Sequence, residues 1–168
     1  RLAGLDEEER GSGTVFSAIE SRLPWLLVNL VTATLAAKTV SLFETTIAQI
    51  VALATFMPMV AGMGGNAGSQ TLTLIIRGMA IGEISFENQA EILKKEIAIG
   101  LINGLCLGIV VAILGYLWVG NIVFGLVIGT AMFLNLIVAT ASGYLVPVTL
   151  KKIGIDPALA SAVFVTTV

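Results

Sequence analysis

The sequence predicts an all-α membrane protein with five transmembrane helices per subunit, the fifth truncated at the end of the chain. Hydrophobic residues make up 57% and charged residues 12% of the 168 residues, whereas soluble domains carry about 25% charged residues. Several uncharged runs are long enough to cross a hydrocarbon core about 30 Å thick. Glycine, proline and amide residues interrupt the second of these runs. We therefore expect a helical bundle in lipid whose second span is broken by a glycine-rich segment.

The first four spans follow from the positions of the charged residues. The first predicted span, Leu23–Phe43, contains only Lys38, whose long side chain can reach the interface. The uncharged stretch from Ile97 to Leu150 is long enough for two spans, and Gly120-Asn121 divides it after an interfacial aromatic pair. The remaining predicted spans are Thr45–Ile76, Ile97–Val119 and Ile122–Leu150.

A fifth apolar stretch begins after Asp156-Pro157 and is still running at Val168. It is too short to cross a bilayer as a helix. The chain is therefore expected to be a fragment, or the ordered part, of a longer protein. We divide it into residues 1–22, a cytoplasmic linker or interfacial segment, and residues 23–168, an incomplete transmembrane domain.

The basic residues predict the orientation. With a cytoplasmic N-terminus, every lysine and arginine from Arg22 onward lies on the cytoplasmic side except Lys38, as the positive-inside rule favours. We therefore expect a multi-pass protein of the cell membrane. Five spans then place its C-terminus on the outer side of the membrane. Val15, Phe16 and Ile19 could form a short helix on the cytoplasmic surface, or belong to a solvated linker.

Composition excludes several classes of function. The chain has no histidine and one cysteine, Cys106, so it can hold neither a zinc site nor a disulfide framework, and no histidine-based enzyme chemistry is available. The formal net charge of −2 leaves no basic excess for nucleic acid. A bound metal would need oxygen ligands, which suit Mg²⁺ or Ca²⁺. We expect a protein that is not an enzyme.

Glycines recur every fourth residue in the third and fourth predicted spans. The third span has Gly100, Gly104 and Gly108, and the fourth has Gly125 and Gly129. Small residues at this spacing let helices approach closely in lipid. We interpret both faces as packing within the bundle, with a subunit interface as the alternative.

The second span carries the first segment with candidate chemistry. Proline removes a backbone donor and glycine disfavours a helix, so free carbonyls together with amide side chains would form an oxygen-rich wall in the membrane. Alternatively, the glycines only admit a neighbouring helix and Asn66 caps a restarted one. The residues of this segment are Pro58, Gly62, Gly64, Gly65, Asn66, Gly68, Ser69 and Gln70.

The second such segment opens the last apolar stretch. Asp156 followed by Pro157 is a good start for a helix. A carboxylate at a cytoplasmic pore mouth would also concentrate cations. Both interpretations stay open, and they are compatible.

At these two segments the sequence resembles the membrane domain of the MgtE-type magnesium transporter family over nearly its whole length. The resemblance rests on Arg22-Leu23-Pro24-Trp25-Leu26, Gly64-Gly65-Asn66-Ala67-Gly68-Ser69-Gln70, Leu74-Ile75-Ile76-Arg77, Lys95-Glu96 and Gly154-Ile155-Asp156-Pro157-Ala158-Leu159. It implies a homodimer with a magnesium pathway lined by the second and fifth spans. By resemblance, the pathway residues are Asn66, the Gly62 carbonyl, Asp156, Leu159 and Thr166.

This chain differs from the members of the family that it resembles. The family's main ion-selecting aspartate would lie two positions beyond Val168, and Ala162 stands where many members have a polar or small residue. A cytoplasmic magnesium-sensing region is expected in a full-length protein.

We therefore predict a channel-like conductor that passes Mg²⁺ into the cytoplasm through a dimeric pore in the lipid bilayer. The alternative is a secondary exchanger that moves Mg²⁺ or another divalent cation against sodium or protons. Proton coupling is disfavoured because the sequence shows no histidine and no acid in the middle of a span. An intramembrane enzyme and a purely structural subunit are weaker alternatives.

Overall fold

The computed structural model describes residues 15–84 and 88–154 together with Pro157 and Val165, and these residues are helical or lie in short connections. The elements, in chain order, are α1 (Val15–Ser41), α2 (Glu44–Gln49), α3 (Val51–Ala80), α4 (Gln89–Val119) and α5 (Ile122–Lys152).

Among the described residues, three helices are long and apolar enough to cross a membrane: the Arg22–Ser41 part of α1, α4 and α5. The predicted all-α class is confirmed for the described residues, and these three helices suit a membrane protein by their length and composition. The count of five spans stays a prediction. α3 has 30 residues and α4 and α5 have 31 each, but glycine and amide residues in the middle of α3 lower its hydropathy.

Helix α5 forms the centre of the bundle and packs along both α4 and α3. Its apolar side chains meet Phe56 of α3 and Val111 of α4 in one buried cluster. The rings of Phe56 and Phe124 meet edge to face with centroids 5.5 Å apart, a favoured aromatic geometry. The α5 members of this cluster are Phe124, Ile128, Met132 and Leu136.

The glycine faces of α4 and α5 produce the close contact between these helices. A Cβ atom added at Gly108 would lie 2.8 Å from the carbonyl oxygen of Gly129. A Cβ atom added at Gly129 would lie 2.6 Å from the carbonyl oxygen of Gly108. The glycines therefore pack within the bundle, as their spacing indicates.

The predicted division between the third and fourth spans is confirmed. Gly120 ends α4 in the left-handed conformation, with φ 73°, which glycine adopts without strain. Asn121 then caps α5, because its Oδ1 accepts hydrogen bonds from the backbone N–H groups of Val123, at 2.8 Å, and Phe124, at 3.3 Å. The observed helix, Ile122–Lys152, ends two residues after the predicted span.

Two helices begin earlier than predicted. α1 starts at Val15, so the segment with Val15, Phe16 and Ile19 continues directly into the first long helix. α4 starts at Gln89 rather than at Ile97, which places Glu96 inside a helix. The described side chains of α1 are almost all exposed, so the buried core of the described residues is formed by α3, α4 and α5.

The second predicted span, Thr45–Ile76, is interrupted at Ile50 between α2 and α3, and the predicted break in its glycine-rich segment is not found. α3 is one continuous helix from Val51 to Ala80, with Pro58 inside it. A glycine costs a helix about 1 kcal/mol relative to alanine. An unpaired backbone group in hydrocarbon costs several kcal/mol. The free energy gained by pairing backbone groups in a continuous helix is therefore larger than the cost of the glycines in that helix.

Candidate functional site

α3 has two faces of different character. One face is buried against the bundle and consists of Phe56, Gly64, Gly68, Thr71, Leu72, Ile75 and Gly78. The other face is exposed and carries Gly62, Asn66, Ser69, Gln70 and Thr73, a set we call the polar stripe. Its members recur every three or four residues, so they follow one side of the helix.

The glycines of the predicted site divide between these faces. A Cβ atom at Gly68 would lie 3.3 Å from the carbonyl oxygen of Ala139 on α5, and one at Gly64 would collide with the Asn135 amide. A Cβ atom at Gly62 or Gly65 would meet nothing within 4 Å. Gly64 and Gly68 thus admit α5, as the alternative interpretation expected, but no helix restarts at Asn66 because α3 is continuous.

The structure therefore brings together Gly62, Asn66 and Gln70 on the exposed face of α3. Gly65 is half-buried beside them, and Pro58 is exposed one turn before Gly62. No acid lies on this stripe. Its polar groups are amides and hydroxyls, and the Thr73 hydroxyl donates to the carbonyl of Ser69, 2.8 Å away.

Val165, near the end of the chain, lies against α3 at Gly68. Val165 is buried, and a Cβ atom at Gly68 would lie 2.7 Å from its Cγ1. Pro157 is helical and half-buried. The predicted site residues Asp156, Leu159 and Thr166 lie outside the described residues.

Sequence reasoning missed Glu96. It is 2% exposed, and its Oε2 accepts a hydrogen bond from the Thr71 hydroxyl of α3 at 3.0 Å. Its Oε1 is buried and has no hydrogen-bond partner in the described part of the chain. Glu96 lies near the start of α4, so the expectation that no acid lies in the middle of a span is not contradicted.

A signal for Glu96 was present in the sequence. It lies four residues before Gly100 and so continues the glycine face of α4 that packs on α5. A residue on that face must be buried, whatever its chemistry.

Asn135 is the second residue that sequence reasoning missed. It lies in the uncharged middle of α5, and its Nδ2 donates to the carbonyl oxygen of Val60 on α3 at 2.6 Å. Gly64, one turn after Val60, leaves room for this amide. A polar side chain in an apolar helix commonly makes such an interhelical hydrogen bond, and that was the available signal.

The described residues hold no group of three or more histidine, cysteine, aspartate or glutamate side chains that could bind a metal ion. The polar stripe instead offers neutral oxygen atoms in a row along one helix. Such atoms suit a cation that keeps much of its water shell, as Mg²⁺ tends to do.

Comparison with known proteins identifies the family. Residues 57–168 match the family model MgtE, described as "Divalent cation transporter". Proteins named "Magnesium transporter MgtE" from Bacillus subtilis and Enterococcus faecalis are 38% and 35% identical, over 90% and 99% of this chain. The Thermus thermophilus protein of the same name is 32% identical over 88% of the chain. The matched regions cover 34%, 36% and 32% of those relatives, so the chain spans about a third of their length. The chain belongs to the MgtE family of divalent cation transporters.

Proposed function

We propose that this chain forms the ion-conducting membrane part of a magnesium transporter, with Mg²⁺ as the transported ion. The proposal is supported by the family model and by three relatives named as magnesium transporters. A transporter family also agrees with the prediction that the protein is not an enzyme.

The polar stripe of α3 is the observation that carries the proposal. Asn66 and Gln70 are exposed on the protomer, on the face of α3 turned away from α5. Amide groups exposed to hydrocarbon are costly to desolvate, and polar residues within a membrane commonly face a water-filled cavity or a partner. The stripe is therefore suited to line an aqueous ion path.

A homodimer would complete this path. Two copies related by a two-fold axis present the same patch to each other, so the ion would meet each ligand type twice. In this arrangement Asn66, the Gly62 carbonyl and Gln70 line the path from α3. The last segment would contribute Asp156, Leu159 and Thr166, and the contact between Val165 and Gly68 supports its placement beside α3.

The direction proposed is inward, with a cytoplasmic N-terminus and an outer C-terminus. The membrane potential contributes about 2.3 kcal/mol per charge per 100 mV, and a divalent cation gains roughly twice that on entry. Asp156 at the cytoplasmic mouth would raise the local cation concentration. A channel-like path needs no other energy source.

Replacement of Asn66 by leucine tests the proposal. Asn66→Leu in the full-length protein should lower Mg²⁺ flux into vesicles and leave unfolding unchanged, because the side chain is exposed. Thr130→Leu is the matched control: Thr130 is exposed on α5, and its hydroxyl bonds its own helix at the Leu126 carbonyl. Equal flux from wild type and Asn66→Leu would contradict the assignment of α3 to the path.

A secondary exchanger is the second candidate, and Glu96 favours it. Buried acids within membrane helices often serve proton relays in transporters, and Glu96 is 2% exposed. Recordings in planar bilayers with Mg²⁺ as the permeant cation separate the two mechanisms. Single-channel steps support the channel, whereas flux that requires a sodium or proton gradient supports the exchanger.

A further inference from the structure

Two interhelical hydrogen bonds hold α3 from the side opposite to its exposed face. The Thr71 hydroxyl donates to Glu96 of α4 at 3.0 Å, and Asn135 of α5 donates to the carbonyl oxygen of Val60 at 2.6 Å. We propose that Glu96 and Asn135 are positioning residues, which fix the rotation of α3 about its axis so that the polar stripe faces the ion path. This inference rests on the proposed function.

The placement of the two bonds on α3 supports this role. Val60 and Thr71 are eleven residues apart, which is about three turns and about 16 Å along the axis. Both anchors therefore lie on nearly the same side of α3. Asn66 lies between them, roughly 120–140° around the helix from either anchor.

Phe56, Leu72 and Ile75 also pack on this side of α3, and the two hydrogen bonds add a directional preference to that packing. Gly64 and Gly68 carry no side chain of their own on this face, and the space at Gly64 receives the Asn135 amide of α5. Lipid tails are as apolar as the core side chains, so the preferred rotation of a membrane helix depends on van der Waals fit and on interhelical hydrogen bonds rather than on transfer of apolar groups out of lipid. Directional hydrogen bonds can supply that preference.

The environment of each bond fits a positioning role. Thr71 and Glu96 are 5% and 2% exposed, so water does not compete for their bond. Asn135 occupies the space left by the missing side chain at Gly64. Each interhelical hydrogen bond of this kind changes an equilibrium by a factor of roughly 3 to 18, so their joint loss should shift the preferred rotation measurably.

The first test measures water access to α3 by thiol labelling, which needs no transport. Cys106 is the sole cysteine, so Cys106→Ser gives a cysteine-free background. Single cysteines at Asn66 and Gln70 should react with a hydrophilic thiol reagent, and one at Ala67, which packs against the core, should react slowly. With both bonds removed by Thr71→Val and Asn135→Leu, we expect labelling at position 67 to rise at least about threefold. An unchanged pattern would overturn the positioning role.

Failure of the proposed function gives a different result. If cysteines at positions 66 and 70 stay unlabelled in the protein with both bonds intact, the polar stripe does not face water, and the ion path is elsewhere. The labelling rate of a cysteine at position 67, with and without the two hydrogen bonds, tests the positioning role independently of this result.

The second test separates positioning from a chemical role of Glu96. Gln at position 96 keeps an oxygen acceptor for the Thr71 hydroxyl, whereas Leu removes it. We expect Glu96→Gln to retain at least about half of the maximal Mg²⁺ flux, and Glu96→Leu and Thr71→Val to lower it about threefold or more. In these variants the concentration for half-maximal flux should change less than the maximal flux. Thr71→Ser keeps the hydroxyl, so its maximal flux should be close to that of the wild type, unlike that of Thr71→Val.

Each outcome of the second test decides something. If Glu96→Gln is as defective as Glu96→Leu, Glu96 acts through its ionisable group, and the positioning role is overturned in favour of the exchanger. If none of the variants lowers flux, positioning by this bond is likewise overturned.

Discussion

The contact between Gly108 of α4 and Gly129 of α5 allows a quantitative test of the packing. Alanine at Gly108 would place its Cβ 2.8 Å from the Gly129 carbonyl oxygen, and alanine at Gly129 would place its Cβ 2.6 Å from the Gly108 carbonyl oxygen. Carbon and carbonyl oxygen atoms rarely approach closer than about 3.3 Å. Either substitution must therefore move the helices apart locally by roughly 0.5–0.7 Å.

Such overpacking typically costs about 1–3 kcal/mol. Alanine also favours the helical state over glycine by about 1 kcal/mol, so the reference has to be another glycine-to-alanine change. Gly65→Ala is the matched control, because a Cβ atom there meets nothing within 4 Å. We expect Gly108→Ala and Gly129→Ala each to be about 1–3 kcal/mol less stable than Gly65→Ala.

The variant that combines Gly108→Ala with Gly129→Ala provides a second measurement of the same contact. Once one alanine has separated the helices, the second has less to displace, so the two costs should be less than additive by at least about 0.5 kcal/mol. The free energy of unfolding is measured by titration with sodium dodecyl sulfate in mixed micelles, followed by circular dichroism. Stability of the single variants equal to Gly65→Ala, or strict additivity in the double variant, would refute the close contact described for α4 and α5.

Two further predictions concern hydrogen bonds at the helix ends. Asn121→Ala removes the cap of α5 and should lower the free energy of unfolding by about 0.5–2 kcal/mol, whereas Asn121→Ser, which can still cap, should stay close to wild type in the same titration. Tyr144→Phe removes the hydrogen bond from the Tyr144 hydroxyl to the Gln89 carbonyl, 2.6 Å long, and should cost about 0.6–1.7 kcal/mol. Tyr116→Phe is its control because Tyr116 is 47% exposed, and an equal effect of the two tyrosine changes would contradict this prediction.

The boundary between α4 and α5 could be predicted from the sequence to within a residue. Gly120 and Asn121 favour a turn and a cap by local chemistry alone, and both act as expected. The start of α4 could not be predicted from charge. The predicted third span began at Ile97, after Lys94, Lys95 and Glu96, because charges were taken to mark the end of a span. In the structure the two lysines keep some exposure while Glu96 is buried, so one helix continues through charges that lie on different faces.

The candidate site was predicted in composition but not in conformation. Asn66, Gln70 and Gly62 lie together on one exposed face, as a wall of polar groups requires. The oxygen-rich wall was expected to come from a broken backbone, and α3 is continuous. The low helix propensity of glycine could not predict the continuous helix. In lipid the cost of unpaired backbone groups applies along the whole span and exceeds that local propensity.

The glycines of α3 can be assigned to packing or to the polar stripe by the residues four positions away. Gly64 is followed at this spacing by Gly68, then by Leu72, all of them buried. Gly62 is followed by Asn66 and Gln70, both exposed. Residues four apart share a face of a helix. A glycine in line with small and apolar residues therefore admits a neighbouring helix, whereas Gly62, in line with Asn66 and Gln70, lies on the exposed polar face. The glycine-rich segment thus contributes alternate residues to two faces of one helix. Because the packing residues and the polar residues lie on different faces, α3 can pack tightly on α5 and still present polar groups on its other side.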